Sequence, residues 1–418
     1  MIESILGKAN MTRAYERVTS NNGSAGVDGM EVKDLRTYLN TEWNAIKSNI
    51  FNCSYKPSAV RKVEIPKPNG GVRMLGIPTA LDRLIQQAIS QYLIMVYDKG
   101  FSENSYGFRP NRNAHQAVLK AKEYVNSGYE HVIELDLEKF FDQVNHDYLM
   151  YLLSQRIKDK ILLTLIRKYL QAGIMVGGLI EKRTSGTPQG SPLSPILSNI
   201  LLDVFDKELE KRGHKFVRYA DDCSIYVRSK RAAFRVIRGV SRFIEEKLKL
   251  NVNKTKSGVR KPDEIKLLGF TFYKRHGEYV IQVSPQALSK CKEKVKTLTK
   301  RNCAKTFAYK LAILKRYAMG WVNYFKVAEL DWNFKELDKM IRKRLRMYLW
   351  ISWKTAINRA KNLRKLGANS DNAYMWSHTS KGVCRTAKSP ILQTTLTNVY
   401  FKENGLFSLL EHYRKQHV

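Results

Sequence analysis

Three aspartates stand where this sequence could do chemistry. Asp136 follows the apolar run His131-Val132-Ile133-Glu134-Leu135. Asp221 and Asp222 come 85 positions later, between Phe216-Val217-Arg218-Tyr219 and Cys223-Ser224-Ile225-Tyr226-Val227. Each run is short, mostly apolar and suited to a β-strand, so the second pair predicts a hairpin with its acids in the turn. Two carboxylates forced together there repel by about 4 kcal/mol at 4 Å and an effective dielectric near 20, unless a cation sits between them. Hard divalent cations take carboxylate oxygens. Two such ions about 3.5 to 4 Å apart suit phosphoryl transfer, one at the attacking oxygen and one at the leaving group. The acids can act together only if their strands lie side by side. Taken alone, Asp-Asp in a turn has an ordinary explanation too, because the side chain mimics the backbone of a turn.

The surrounding elements set out how the acids would be positioned. Residues 79–97, 112–127 and 146–172 carry helical patterns. Ser191-Pro192 opens another helix, with Ser191 as N-cap, Leu193, Ile196, Leu197, Ile200, Leu201 and Phe205 on one face, and Gly213 as its stop. An amphipathic helix is predicted over about 231–249. Ile65 to Pro78 holds two β-like runs around Asn69-Gly70-Gly71, hence a second hairpin, and a further short β segment starts at Leu267. From about 286 the chain turns to helix formers and basic residues, with helices expected near 286–300, 305–327 and 334–360. A domain boundary is placed there.

Composition narrows the partners. The 418 residues carry 73 Lys plus Arg against 38 Asp plus Glu, a formal charge of +35, which concentrates polyanions at the surface and points to nucleic acid. The 43% hydrophobic content suits a folded core. Cys53, Cys223, Cys291, Cys303 and Cys384 form no Cys-x-x-Cys pair, so neither a zinc site nor a disulfide framework is written here. No apolar run approaches the roughly 18 residues that span a bilayer. No export signal opens the chain, so a cytoplasmic protein is expected.

Tyr219-Ala220-Asp221-Asp222, preceded by Asp136-Leu137-Glu138-Lys139-Phe140-Phe141-Asp142, resembles the paired signature of reverse transcriptases. The chain as a whole resembles group II intron-encoded reverse transcriptases, also called maturases. Gly23 to Gly29, Ser105-Tyr106-Gly107-Phe108-Arg109-Pro110, Gly186-Thr187-Pro188-Gln189-Gly190-Ser191-Pro192-Leu193, Leu268-Gly269-Phe270 and Gly320-Trp321-Val322-Asn323-Tyr324-Phe325 follow in the family's order. The resemblance implies an α+β right-hand polymerase fold, with fingers and palm around a small antiparallel sheet and a helical thumb after them. It implies reverse transcriptase fingers and palm over 1–285, including an N-terminal extension over 1–50, a thumb or maturase domain X over 286–385, and a short basic C-terminal extension over 386–418.

The same resemblance assigns roles. Asp136, Asp221 and Asp222 would be catalytic and hold two Mg2+ ions, with Mn2+ as the alternative. Lys67 and Arg73 would clamp the triphosphate of an incoming dNTP, Phe141 would lie under its sugar and exclude a 2′-hydroxyl, and Gln189 would touch the nucleotide or its template base. Tyr219, Arg109, Leu268, Gly269 and Phe270 would meet primer or template. In the thumb, Arg342, Arg344, Arg346 and Lys354 stand beside Tyr348, Trp350 and Trp353, as an RNA-gripping helix or as an amphipathic helix with its rings in the core. Asp142 reads as a structural cap toward Asn145 and His146, and Phe140 as core. The implied activity is RNA-directed DNA synthesis on intron RNA during retrohoming, with RNA binding that assists splicing. The implied partners are intron and template RNA, a DNA primer or target, and dNTPs, with no membrane and with homodimerisation left open. The implied setting is a bacterial cytoplasm, in the nucleoid or a ribonucleoprotein. The pattern resembles the compact class without an endonuclease domain.

Overall fold

The computed structural model describes residues 1–66, 70–176, 179–181, 184–300 and 305–416. Two compact units divide the chain, Met1–Ile265 and Lys266–Val418.

The first unit opens with α1 (Ile2–Ile5), α2 (Lys8–Asn21) and α3 (Leu35–Phe51). Strands β1 (Val60–Pro66) and β2 (Val72–Ile77) pair antiparallel, as the turn residues between them predict, and lead into α4 (Ala80–Tyr97). Thr79 starts that helix by accepting a hydrogen bond from the Asp82 amide. Helix α5 (Ala114–Asn126) begins with a capping box between Asn113 and Gln116. Strand β3 (His131–Leu135), α6 (Phe140–Gln143), α7 (His146–Arg156) and α8 (Lys160–Gln171) follow. The single helix expected over 146–172 is therefore two. Asp159 interrupts it by capping α8 through the Leu162 amide, and its other oxygen accepts the Ile2 amide, tying the chain start to this break.

A hairpin of β4 (Ile174–Val176) and β5 (Leu179–Glu181) extends the first sheet, in the order β2-β1-β4-β5, with β1 and β4 parallel. This hairpin is not among the elements expected from the sequence. Helix α9 (Ser194–Lys211) starts two residues later than the Ser-Pro signal suggests: Pro195 occupies its first turn, while Ser191 bonds Gln86 and the Leu193 amide. Gly213, at φ 72°, ends it as expected.

Strands β6 (Lys215–Tyr219) and β7 (Asp222–Val227), helix α10 (Lys230–Phe243) and β8 (Gly258–Arg260) complete the unit. The second sheet runs β6-β7-β3-β8 and is antiparallel throughout. Alternation along its strands sorts the two faces. Ile133, Leu135, Phe216, Cys223 and Ile225 face a core shared with α9 and α10, whereas Val132, Glu134, Ser224 and Tyr226 face the other way.

The second unit begins with the hairpin β9 (Phe270–Arg275) and β10 (Glu278–Val283), followed by α11 (Pro285–Leu298), α12 (Phe307–Phe325), α13 (Asp331–Ser352), α14 (Ala356–Lys365) and α15 (Ser370–Ser377). Short helices α16 (Val383–Thr386), α17 (Pro390–Thr395), α18 (Asn398–Glu403) and α19 (Leu409–Arg414) finish it. The unit starts some twenty positions before the shift in composition near 286, because the hairpin packs with the helices: Phe270 lies against Tyr324 and Phe325, and the Glu329 amide bonds the Ile281 carbonyl. The helix expected over 334–360 breaks at Lys354, which takes a left-handed conformation, and restarts at the Thr355 cap. The C-terminal residues belong to this core as well. Asp338 accepts the Leu409 and Leu410 amides at the start of α19, and Phe401 and Tyr413 are buried. No helix of the described residues is long and apolar enough to cross a membrane.

Candidate active site

The antiparallel register of β3 and β7 places Leu135 opposite Cys223, so the next pair along is Asp136 and Asp222, on the face turned away from α9 and α10. Asp221 lies in the adjoining turn. That turn is sharp, with Ala220 at φ 59°, a conformation that costs a non-glycine residue energy unless its surroundings hold it. They do. Arg218, fully buried, donates to both oxygens of fully buried Asp206 at 2.6 to 3.0 Å and sends a further bond of 2.8 Å to the Ala220 carbonyl. Asn199 and Ser105 accept its remaining hydrogens. Gly107 lies directly beneath: a Cβ there would stand 2.3 Å from the Ala220 nitrogen.

Asp136 is fixed from another side. Its amide donates to Ser257, its carbonyl accepts from the Asn253 amide, and neighbouring Leu137 pairs with Val252. Its Oδ2 is shielded from solvent and accepts no hydrogen bond, with Lys256 Nζ 3.3 Å away as its ion-pair partner. Partial burial, then the charges of Asp221, Asp136 and Glu134, push the Asp222 carboxyl up to about 6 against the pull of Lys256. Burial raises Asp221 too, as does Asp136, while Arg73 opposes the shift. Among the described residues, no three ligand side chains are drawn together closely enough to hold an ion as they stand. The acids nevertheless fit one, since a shielded, unbonded oxygen and raised carboxyl pKa values mark a negative site short of positive charge.

Asp136 and Asp221 line a cavity of about 380 Å3 with Arg73, Phe141, Gln189, Asn253 and Lys256. Phe141 owes its place to the loop at 186–190. The Thr187 amide bonds the Phe141 carbonyl, and a Cβ on Gly186 would stand 2.8 Å from that same oxygen. Gln189 in turn accepts the Gly76 amide through its carbonyl, linking loop and β2. Lys67 lies outside the described residues.

Residues 65–272 match the reverse transcriptase (RNA-dependent DNA polymerase) family, and residues 288–367 match the group II intron, maturase-specific domain. Protein YkfC of Escherichia coli (strain K12) is 34% identical over 271 residues, which cover 55% of this chain and 71% of that protein. The chain belongs to the group II intron-encoded reverse transcriptases. The group II intron-encoded protein LtrA of Lactococcus lactis subsp. cremoris is 36% identical over 206 residues, 49% of this chain but 34% of that one. A solved structure of apo telomerase from Candida tropicalis superposes with a TM-score of 0.42 at 15% identity, covering 58% of this chain and 60% of that one, too slight a likeness to carry argument. By family this reverse transcriptase is an RNA-directed DNA polymerase that depends on divalent metal, and it carries the domain of splicing maturases.

Several residues singled out in the sequence are used up inside the reverse transcriptase. Arg109 is buried, pairs with Asp98 at 2.7 Å and donates to the Ser102, Ser105 and Asp98 carbonyls, so it braces a loop instead of reaching out to primer or template. Phe270 is fully buried in the second unit, and of its motif only the Leu268-Gly269 turn is partly exposed. In α13, Arg346 is buried, bonded to the Leu396 carbonyl and stacked on Phe401, and Arg344 ties Thr299 and the Lys296 carbonyl to the helix. Trp350 is core and Tyr348 bonds the Lys305 carbonyl, so these two rings serve the fold. Arg342 and Lys354 retain accessible positions. Asp142 makes no cap. Asn145 does, accepting the Tyr148 amide, while Asp142 lines the cavity. Phe140 is core as expected.

Arg218 and Lys256 belong to the site without being among the residues expected from the sequence. The first had a visible signal, a cation set into the apolar run Phe216-Val217-Arg218-Tyr219. The second had none, because its pairing with Asp136 bridges 120 positions of chain.

Proposed function

We propose that this reverse transcriptase copies the RNA of its parent group II intron into DNA during retrohoming, with Asp136, Asp221 and Asp222 as the catalytic, ion-holding set, and that it binds the same RNA to assist splicing. The observation that carries the reading is the placement of Asp136 and Asp221 on the wall of a cavity that also presents Arg73, Phe141 and Gln189, with Asp222 next to Asp221 and cross-strand from Asp136. When bound, a pair of Mg2+ ions supplies charge neutralisation at the attacking and leaving oxygens of nucleotidyl transfer.

The chain's own residues do the rest. Arg73 offers its planar guanidinium to a triphosphate in a bidentate contact, which Lys67 supplements as a point charge. Phe141, held by the Gly186 loop, lies where a flat ring selects against a 2′-hydroxyl, and Gln189 reads the nucleotide or its template partner by hydrogen bonding. Tyr219, cross-strand from Asp222, sits at the primer end, with the Leu268-Gly269 turn as a further primer contact. The first unit provides fingers and palm, the helices after 286 the thumb, with Arg342 and Lys354 as its RNA contacts. The protein works in the bacterial cytoplasm as a ribonucleoprotein.

Primer extension with dNTPs on RNA and DNA templates tests the reading. Wild-type protein should extend on both, and Asp222→Ala should extend on neither while still binding the intron RNA. Extension that survives the substitution refutes the assignment of the acids. Loss of RNA binding by a folded Asp222→Ala protein refutes a separate role in splicing.

A further inference from the structure

Helix α10 buries Ala233, Val236 and Val240 and turns Lys230, Arg231, Phe234, Arg235, Arg238 and Arg242 outward. No acid lies within it, and none of these cations has a side-chain partner among the described residues. The arrangement works against the helix. Arg231 and Arg235, Arg235 and Arg238, and Arg238 and Arg242 stand three or four apart, where like charges repel. Lys230 and Arg231 also occupy the first turn, the positive end of the helix dipole. The field reaches beyond the helix: burial, then Arg212 and Arg235, hold the His214 imidazole below its ordinary range. From Arg231 to Arg242 the row runs about 16 Å at 1.5 Å per residue, enough to face several successive phosphates.

The position of the row separates it from the polymerase cavity. Residues on the α10 side of the sheet are Ile133, Leu135, Cys223 and Ile225, whereas Asp136 and Asp222 continue the opposite face. A strand laid along α10 is therefore not the one being extended at the acids. Phe234, half exposed among the cations, offers a ring on which an unpaired base can stack.

We propose that α10 is a second RNA-binding surface, gripping the phosphate backbone of a folded RNA segment while the template and primer occupy the cavity across the sheet. The proposal rests on the reading that this protein binds its intron RNA, and adds where on the first unit that RNA is held.

The test compares wild type with the Arg231→Gln, Arg235→Gln, Arg238→Gln triple variant. The probes are a folded transcript of the RNA flanking the gene and a short RNA template annealed to a DNA primer. For the folded transcript, affinity should fall roughly 10- to 100-fold, and the slope of log affinity against log salt should shrink by about 2 to 3, as expected for three lost phosphate contacts. Extension of the short template–primer should be unchanged. The melting temperature should hold or rise, since only repulsion has been removed. Wild-type affinity and slope in the triple variant overturn the proposal, as does a parallel loss of extension, which would place the row in the substrate path. Loss of binding to phosphatidylserine vesicles at unchanged RNA affinity overturns it in favour of a lipid surface. Failure of wild type itself to bind the transcript sinks the intron-RNA reading instead, a result distinct from binding that the variant retains.

Discussion

The catalytic cavity and helix α13 are both rich in charge, and the sequence marks both as functional, yet the fold treats them in opposite ways. At the catalytic site, Asp221 and Asp222 remain underneutralised and, among the described residues, Asp136 has Lys256 as its ion-pair partner, so the site stores unfavourable charge that a ligand can relieve. In α13, Arg344 bonds Thr299 and the Lys296 carbonyl, Arg346 is buried against Phe401 with a bond to the Leu396 carbonyl, and Trp350 is packed away. A charged group that protein atoms already satisfy is structural, however suggestive its neighbours in sequence. One left unsatisfied is where a ligand goes.

The largest expected effect tests the cavity side of this contrast. Asp221→Asn should lower the rate of primer extension by a factor on the order of 10^3, about 4 kcal/mol in barrier, without unfolding the protein. Arg346→Met should leave extension per folded molecule close to wild type and lower stability alone. A reversal of that pattern breaks the distinction.

Arg218 lies at the boundary between the two kinds of charge, being buried and paired yet bonded to the catalytic turn. Arg218→Met strands Asp206 in the interior and should destabilise the first unit by about 3 to 5 kcal/mol, read by urea unfolding. The double variant Arg218→Met, Asp206→Leu should recover much of that stability but not the extension rate, because the Ala220 carbonyl still lacks its donor. Recovery of both would show that the pair supports the fold and not the turn.

Next in size is sugar selection. Phe141→Ala should raise NTP use relative to dNTP use by roughly 10- to 100-fold in single-nucleotide extension. Unchanged selectivity would move that gate to another residue.

The smallest effect is the dependence of ion binding on pH. The Asp222 carboxyl titrates near 6 in the fold and at 3.8 as a free group. The folded state thus holds its proton more tightly, and this group's ionisation costs the metal-free protein stability as pH rises from the lower value to the upper. A bound divalent cation repays that cost only above about 6. The rise in melting temperature on adding Mg2+ should accordingly be full at neutral pH and shrink as pH falls below 6. An equal rise at pH 5 and pH 8 would place the ion elsewhere.

Much of this was legible before any coordinates. The short, mostly apolar runs His131–Leu135 and those on either side of Asp221 and Asp222 dictate strands, and the turn residues dictate the hairpins. The order of motifs identified the family that the matches over 65–272 and 288–367 then showed. Helix caps at Thr79, Asn113 and Ser229 are local hydrogen bonds between near neighbours, which is why most helices begin close to where the sequence places them.

The amino-acid order thus settled which side chains are able to do the chemistry, since residue type and local periodicity are properties of the chain itself. Only the fold decided which of them are free to do it. Whether Arg109, Phe270 and Arg346 face a substrate or a carbonyl, and whether Lys256 reaches Asp136, depends on contacts between segments far apart in sequence. Such contacts form where burial makes an unpaired charge costly, and no local pattern of residues records that cost.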